Sequence, residues 1–249
     1  MKIFYLWILI SLAWFSVVGR KKLIVHLVPH SHNDAGWIQT FESYYQSSTS
    51  KTITNVVEVL VKDKSKIFHW SDIAFFHRWW SDQTHSTREQ VKILVRENRF
   101  IFIGGGWIMN DEALPTYKEA MLQMRLGLDF LQNTFGVRPS IGWQIDPFGS
   151  SSVTVAILRK LGYDALVENR VSNNFKDKMR HRDGYNFYWQ GHTVDQNSDD
   201  DIILTHILQY FYIFPQTRFD RQFLYKNMGS YSAVFFREEV QPVIDEINT

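Results

Sequence analysis

Strand-like and helix-like segments alternate along this chain and predict an α/β fold, a largely parallel β-sheet flanked by helices. Three observations carry that reading. Short apolar runs recur at residues 23–28, 100–103 and 141–145. Segments with helical spacing of apolar residues lie between them, and capping residues mark where several of those helices start and stop.

In chain order, residues 23–28 read as a buried strand that Pro29 prevents from continuing as ordinary ladder. Ile53, Val56, Val57, Leu60 and Val61 recur at helical spacing and predict one apolar helix face. Residues 66–70 read as a strand and 73–80 as a helix, with Trp79 and Trp80 assigned to the core. Ser86 with Glu89 resembles a capping box opening the helix that carries Val91, Leu94 and Val95. A strand at 100–103 precedes a second box, Thr116 with Glu119, whose helix runs to Phe135 and stops at Gly136. After the strand at 141–145, Ser150, Ser151 and Ser152 offer N-cap oxygens to a helix running to about Leu161, with Gly162 as its terminator. Strands follow at 165–168, 187–189 and 202–207, with a polar loop at 194–201. No internal repeat or low-complexity linker interrupts this order. The 249 residues allow one large domain or two small ones, and 45% hydrophobic with 16% aromatic content can build a sizeable core.

Two runs carry the candidate chemistry. In Pro29-His30-Ser31-His32-Asn33-Asp34-Ala35-Gly36-Trp37, His32 and Asp34 stand two apart on extended chain, so both side chains share a face. Imidazole nitrogen and carboxylate oxygen suit a zinc-like ion, although such a pair also caps strand ends. In Gly142-Trp143-Gln144-Ile145-Asp146-Pro147-Phe148-Gly149, Asp146 follows an apolar strand and precedes a proline, a position that also suits a plain turn residue. Both runs fall where strands give way to loops, the edge at which parallel α/β sheets bind ligands.

Four strings in the same order, HSHNDAGWIQTFESYY, HWSDIAFFHRWW, FIGGGWIMNDEA and WQIDPFG, closely resemble the class II α-mannosidases, glycoside hydrolase family 38. The resemblance runs from about Leu23 to about Pro215. It implies the family's N-terminal domain, a distorted barrel or sheet, and a zinc-dependent retaining α-mannosidase acting on terminal α-linked mannose of N-glycan-type oligosaccharides. It further implies that His32, Asp34 and Asp146 ligate Zn2+, and that Asp146 is also the nucleophile. Trp37 matches a tryptophan that stacks under the mannose ring, and Phe148 an aromatic lining the same pocket. Arg170 matches an arginine beside the nucleophile, where its charge keeps a carboxylate ionised. Tyr212 falls near a substrate-contacting tyrosine.

The chain also departs from the family's pattern. Members are much longer, and the segments supplying a fourth ligand, a histidine, and the acid/base aspartate are not recognisable here. Asp220, Glu238, Glu239, Asp245 and Glu246 match no acid/base motif and read as a solvated helix face. Ala35 stands where proline is common and Ser150 where histidine is common. His30 is read as a supporting or structural residue rather than a ligand. Asp111 and Glu112 either line the pocket or serve the start of the helix near Thr116. The Gly104-Gly105-Gly106 triplet lacks the lysine of a phosphate loop and reads as a close-approach turn.

Lys2, the apolar run 3–18 and the small residues ending at Gly19 have the layout of a secretory signal peptide over residues 1–19, leaving 20–249 as the mature domain. The alternatives are a buried N-terminal helix and, given Arg20, Lys21 and Lys22, a Golgi membrane anchor. The short distance to the first strand favours a lysosomal, vacuolar or secreted lumenal protein with no stable membrane partner. Removing residues 1–19 takes away one lysine and no acid, so the formal charge falls from +1 to zero and nothing points to nucleic acid. With no cysteine, disulfides and thiolate metal sites are excluded, and no Asn-x-Ser/Thr sequon is present. The partner implied is a mannose-containing oligosaccharide. A mannoside-binding remnant without the acid/base is the second reading, and a metal-dependent polysaccharide deacetylase the third; WQIDPFG argues against the last.

Overall fold

The computed structural model describes residues 28–180, 184–191, 201–208 and 212. Within them, β1 (Phe68–Trp70) and β2 (Phe100–Phe102) pair in parallel, and His30 adds a parallel bridge to His69. A second sheet has the order β3 (Ile141–Gln144), β4 (Ala165–Glu168), β6 (Ile202–Ile207), β5 (Asn186–Gln190). Its first three strands are parallel, while β5 lies antiparallel on the edge of β6. The expectation of a largely parallel sheet therefore holds except at β5. The connection from β5 to β6 is too short for a crossover helix, and a short connection joins antiparallel neighbours. These strands form two open sheets, linked where the Gly104 amide donates to the Ile141 carbonyl at 2.9 Å.

The first helical run opens at Thr40, whose hydroxyl accepts from the Ser43 amide. It passes through α1 (Phe41–Tyr44), a π-helical turn (Tyr45–Thr49) and α2 (Ser50–Lys62). Sequence periodicity predicted the apolar face of α2 but not the π turn. Tyr45 and Thr49 both face inward from that turn, and π turns recur beside functional sites. Ile53, Val56, Val57 and Leu60 are buried as expected, but Val61 is exposed, because it lies one residue past the inward stripe. Helix α3 (Ile73–Asp82) buries Trp79 and Trp80 in the core, as the sequence implied. Phe76 sits at its centre, in ring contact with Trp79, Phe102 and Phe135.

Helix α4 (His85–Arg96) starts earlier than the Ser86/Glu89 box suggests. Thr84 caps it by accepting from the Thr87 amide, and Glu89 is engaged by Lys92 instead. The Thr116/Glu119 box is present in full on α5 (Tyr117–Phe135), which ends at Gly136 in the left-handed conformation. Ser151 caps α6 (Ser152–Lys160). The strand expected at 66–70 shortens to β1, since Lys66 closes a turn onto the Asp63 carbonyl. Helix α7 (Asn173–Arg180) was not anticipated; Phe175 and Met179 are its apolar residues, too few to mark a period by themselves. The expected signal peptide, the strand at 23–27, the loop residues 194–200 and the acidic residues after Arg218 lie outside the described residues.

The glycine triplet makes the close approach the sequence suggested. Gly104 and Gly105 adopt φ of 65° and 77°, and Gly127 on α5 packs directly onto that turn. A Cβ at Gly127 would lie 2.1 Å from the Gly105 carbonyl oxygen. Gly127→Ala is expected to force α5 off the turn and destabilise the protein by about 1–3 kcal/mol or more, seen as a lowered thermal midpoint; an unchanged midpoint would contradict this packing.

Candidate metal and carboxylate site

The site lies at the C-terminal ends of the parallel strands, where carbonyl edges turn into loops. His32 and Asp34 follow the bridge at His30. Asp72 follows β1, Asp146 follows β3, Arg170 follows β4, and Tyr212 comes after β6. The loop carrying His32 is tied along the end of β1: Ser31 donates its amide to the His69 carbonyl, and the Ser71 hydroxyl donates to the Ser31 carbonyl. On the far side of His32, the Asn33 amide donates to Asp72 Oδ2 at 2.9 Å, and Thr49 from the π turn donates to the Asn33 side chain.

These supports bring three predicted residues together. His32 Nε2 lies 3.5 Å from Asp34 Oδ1 and 3.4 Å from Asp146 Oδ2. One ligand atom from each of the three falls within 4.8 Å of the others, a group that can hold a metal ion. Two atoms bound to a tetrahedral zinc at about 2.0–2.1 Å stand roughly 3.3 Å apart, so the donor spacing and the donor chemistry both fit. Asp146 divides its oxygens. Oδ1 accepts from Arg170 Nε at 2.8 Å, from Arg170 Nη2 at 2.6 Å and from the Tyr212 hydroxyl, while Oδ2 faces His32.

Partial burial works against ionising Asp146, but the hydrogen bonds from Tyr212 and Arg170 and the nearby positive charges outweigh it, so its pKa falls below the ordinary carboxylate value. Burial, with the Asp146 contact, pushes Tyr212 up to about 12 and keeps it a donor. Tyr212, which the sequence placed only near a family tyrosine, thus joins the cluster. Trp37 and Phe148 are 76% and 74% exposed beside Asp34 and Asp146 in the chain, available as open apolar surface.

Three other residues find structural work. His30 packs edge-on against Trp143 at 5.2 Å between ring centroids, and burial lowers its pKa. Glu112 serves a helix start, as one reading held, but it serves α6 rather than α5: it accepts from the Ser151 amide at 2.6 Å and the Thr154 hydroxyl at 2.8 Å. Asp111 accepts from the Ala113 amide in its own turn. Sequence reasoning passed over two buried acids altogether. Asp72 sits within one of the quoted strings at the start of α3, and burial pushes it up to about 6 against the pull of His32 and its hydrogen bonds. Glu168 ends β4 with no exposed surface and accepts from Ser150, the residue standing where histidine is common. An acid at the inward end of an apolar strand was the available signal for Glu168.

Residues 22–247 match the family model described as Glycosyl hydrolases family 38 N-terminal domain. The chain is 41% identical to Alpha-mannosidase C of Dictyostelium discoideum over 204 residues, which is 77% of this chain and 19% of that protein. It is 36% identical to Lysosomal alpha-mannosidase of Mus musculus, covering 72% of this chain and 19% of that one. The chain thus spans about a fifth of the length of these curated relatives. Among solved structures, an alpha-mannosidase from Enterococcus faecalis V583 superposes with a TM-score of 0.61 at 18% identity, over 75% of this chain and 20% of that one; at this identity the likeness bears on the fold.

Burial and the charge of Glu112 push Glu168 up to about 8, so the folded chain keeps this proton across a range in which the unfolded chain has lost it. The resulting stability is full below the ordinary carboxyl pKa and is lost as pH rises toward 8. The melting temperature of the protein is therefore expected to fall between pH 5 and pH 8, with a flatter profile for Glu168→Gln. Parallel calorimetric profiles for the two proteins would refute the assignment.

Proposed function

The chain belongs to glycosyl hydrolase family 38, and from that premise we propose that its site is that of a zinc-dependent retaining α-mannosidase, releasing terminal α-linked mannose from N-glycan-type oligosaccharides with Asp146 as nucleophile. The observation that carries this reading is the division of labour on Asp146, one oxygen saturated by Arg170 and Tyr212 and the other turned to His32. A nucleophilic carboxylate must be anionic, and its neighbours lower its pKa. In a retaining mechanism the carboxylate forms a glycosyl ester as the leaving oxygen takes a proton, and water then cleaves that ester.

His32, Asp34 and Asp146 would hold the metal, which when bound supplies Lewis acidity and a fixed point for sugar hydroxyls. Arg170 and Tyr212 orient the nucleophile, and Trp37 and Phe148 offer aromatic faces to the apolar side of a mannose ring. Residues 1–19 would direct the chain into the secretory pathway, toward a lysosomal, vacuolar or secreted destination, in keeping with the name of the mouse relative.

The second reading is a mannoside-binding domain that does not turn over substrate. It is favoured by one feature: the carboxylate gathered with Asp146 among the described residues is Asp34, which shares the metal-facing group and is not free to protonate a leaving oxygen. Hydrolysis of a chromogenic α-mannoside by residues 20–249 with zinc separates the two readings. Turnover abolished by Asp146→Asn supports the enzyme; mannoside binding without turnover by folded protein supports the second reading; neither activity sinks both.

In an active preparation, Arg170→Gln removes the charge and the two donors that hold Asp146 ionised. The acid limb of the kcat/KM profile is then expected to move to higher pH, with activity at neutral pH reduced on the order of tenfold or more. An acid limb left in place would show that Arg170 does not set the state of the nucleophile.

A further inference from the structure

Asp72 occupies the position before α3, where an aspartate ordinarily caps a helix, yet its side chain makes no capping bond. The need is met elsewhere. The first amides of α3, at Ile73 and Ala74, donate to the carbonyls of Gly106 and Trp107, at 3.3 and 2.8 Å. The carboxylate, 2% exposed as a residue, is thereby released to point toward the loop that carries His32, with Oδ2 accepting from the Asn33 amide and side chain and from the Ser71 hydroxyl.

That leaves Asp72 Oδ1 buried without a partner, and His32 Nδ1 is buried without one too. The coincidence is chemical. His32 presents Nε2 to Asp34 and Asp146, so a neutral ring ligating through Nε2 must carry its proton on Nδ1. A buried N–H needs an acceptor, and a buried carboxylate oxygen needs a donor. The two atoms are not in direct hydrogen-bond contact, though His32 is near enough for its charge to act on Asp72, and a water with both as partners would satisfy them.

We infer that Asp72 is the positioning residue for His32: its Oδ1 accepts the Nδ1 proton through a bridging water, fixing the tautomer that turns the Nε2 lone pair toward Asp34 and Asp146. This rests on reading the three-residue group as a metal site but not on mannoside turnover. Metal-bound imidazoles commonly hold their second nitrogen against a carboxylate in this way, and losing the carboxylate typically lowers metal affinity 10- to 100-fold.

The test reads the ring directly, in zinc-loaded protein of full length, by nitrogen-15 NMR of the histidine side chains near pH 8. Wild-type His32 is expected as the Nδ1–H tautomer. In Asp72→Asn the Asn33 amide still requires the oxygen, so the new NH2 group is left for the His32 side, and the tautomer is expected to shift toward Nε2–H. Zinc affinity, measured by competition with a chromophoric chelator, is expected to fall 10- to 100-fold in Asp72→Asn and to recover in part in Asp72→Glu. An Nε2–H ring in the wild type overturns the inference without needing any variant, and so does a folded Asp72→Asn with wild-type tautomer and affinity. If folded wild-type protein binds no zinc, the metal reading of the group fails and takes the inference with it, whereas the outcomes above overturn the positioning by Asp72 alone.

Discussion

Asp146 and Arg170 meet because β3 and β4 run parallel and in step. Gln144 is paired with Glu168, so two residues further along each strand the carboxylate and the guanidinium arrive side by side. The guanidinium then spends two of its donors on one oxygen, and Tyr212 adds a third. A half-buried carboxylate without such neighbours would drift toward its neutral form; with them it stays charged and has one oxygen left over. That remaining oxygen meets His32 and, through it, Asp34, so the register of one strand pair underlies the whole cluster.

The supports of the cluster come from satisfying buried backbone groups by unusual partners. The carbonyls of Gly106 and Trp107, just past the left-handed turn at Gly104 and Gly105, serve the start of α3, which frees Asp72. Glu112 crosses from the loop after β2 to close the start of α6, and Glu168 takes the hydroxyl of Ser150. Each of these acids sits close to the segment that follows Asp146 or the segment that holds His32. The segments on either side of Asp146 and His32 are thus held in place by buried acids outside the His32, Asp34 and Asp146 group. The π turn contributes in the same manner, turning Thr49 inward to hold Asn33.

The elements with strong local signals were readable in advance. The apolar stripe of α2, the Thr116/Glu119 box and the stop at Gly136 follow from side-chain period and capping chemistry, which act within a few residues. Where a competing local acceptor existed, the reading slipped: Thr84 capped α4 in place of Ser86. Helix α7 has too few apolar residues to leave a period, and although β5 was read as a strand, its antiparallel direction was not, since that depends on which neighbour it pairs with.

By itself the sequence determined the alternation of strands and helices, the placing of His32, Asp34 and Asp146 at strand ends, and the resemblance of four strings to one family. Those properties are local, set by spacing, capping and residue type. Only the tertiary structure decided that Asp72 holds the Asn33 amide beside His32, that Glu168 takes the Ser150 hydroxyl, that Glu112 caps α6, and which oxygen of Asp146 is taken. Hydrogen-bond partnership and burial join residues about 18 to 40 positions apart here, and no periodicity in a linear chain records which distant group will take a given lone pair.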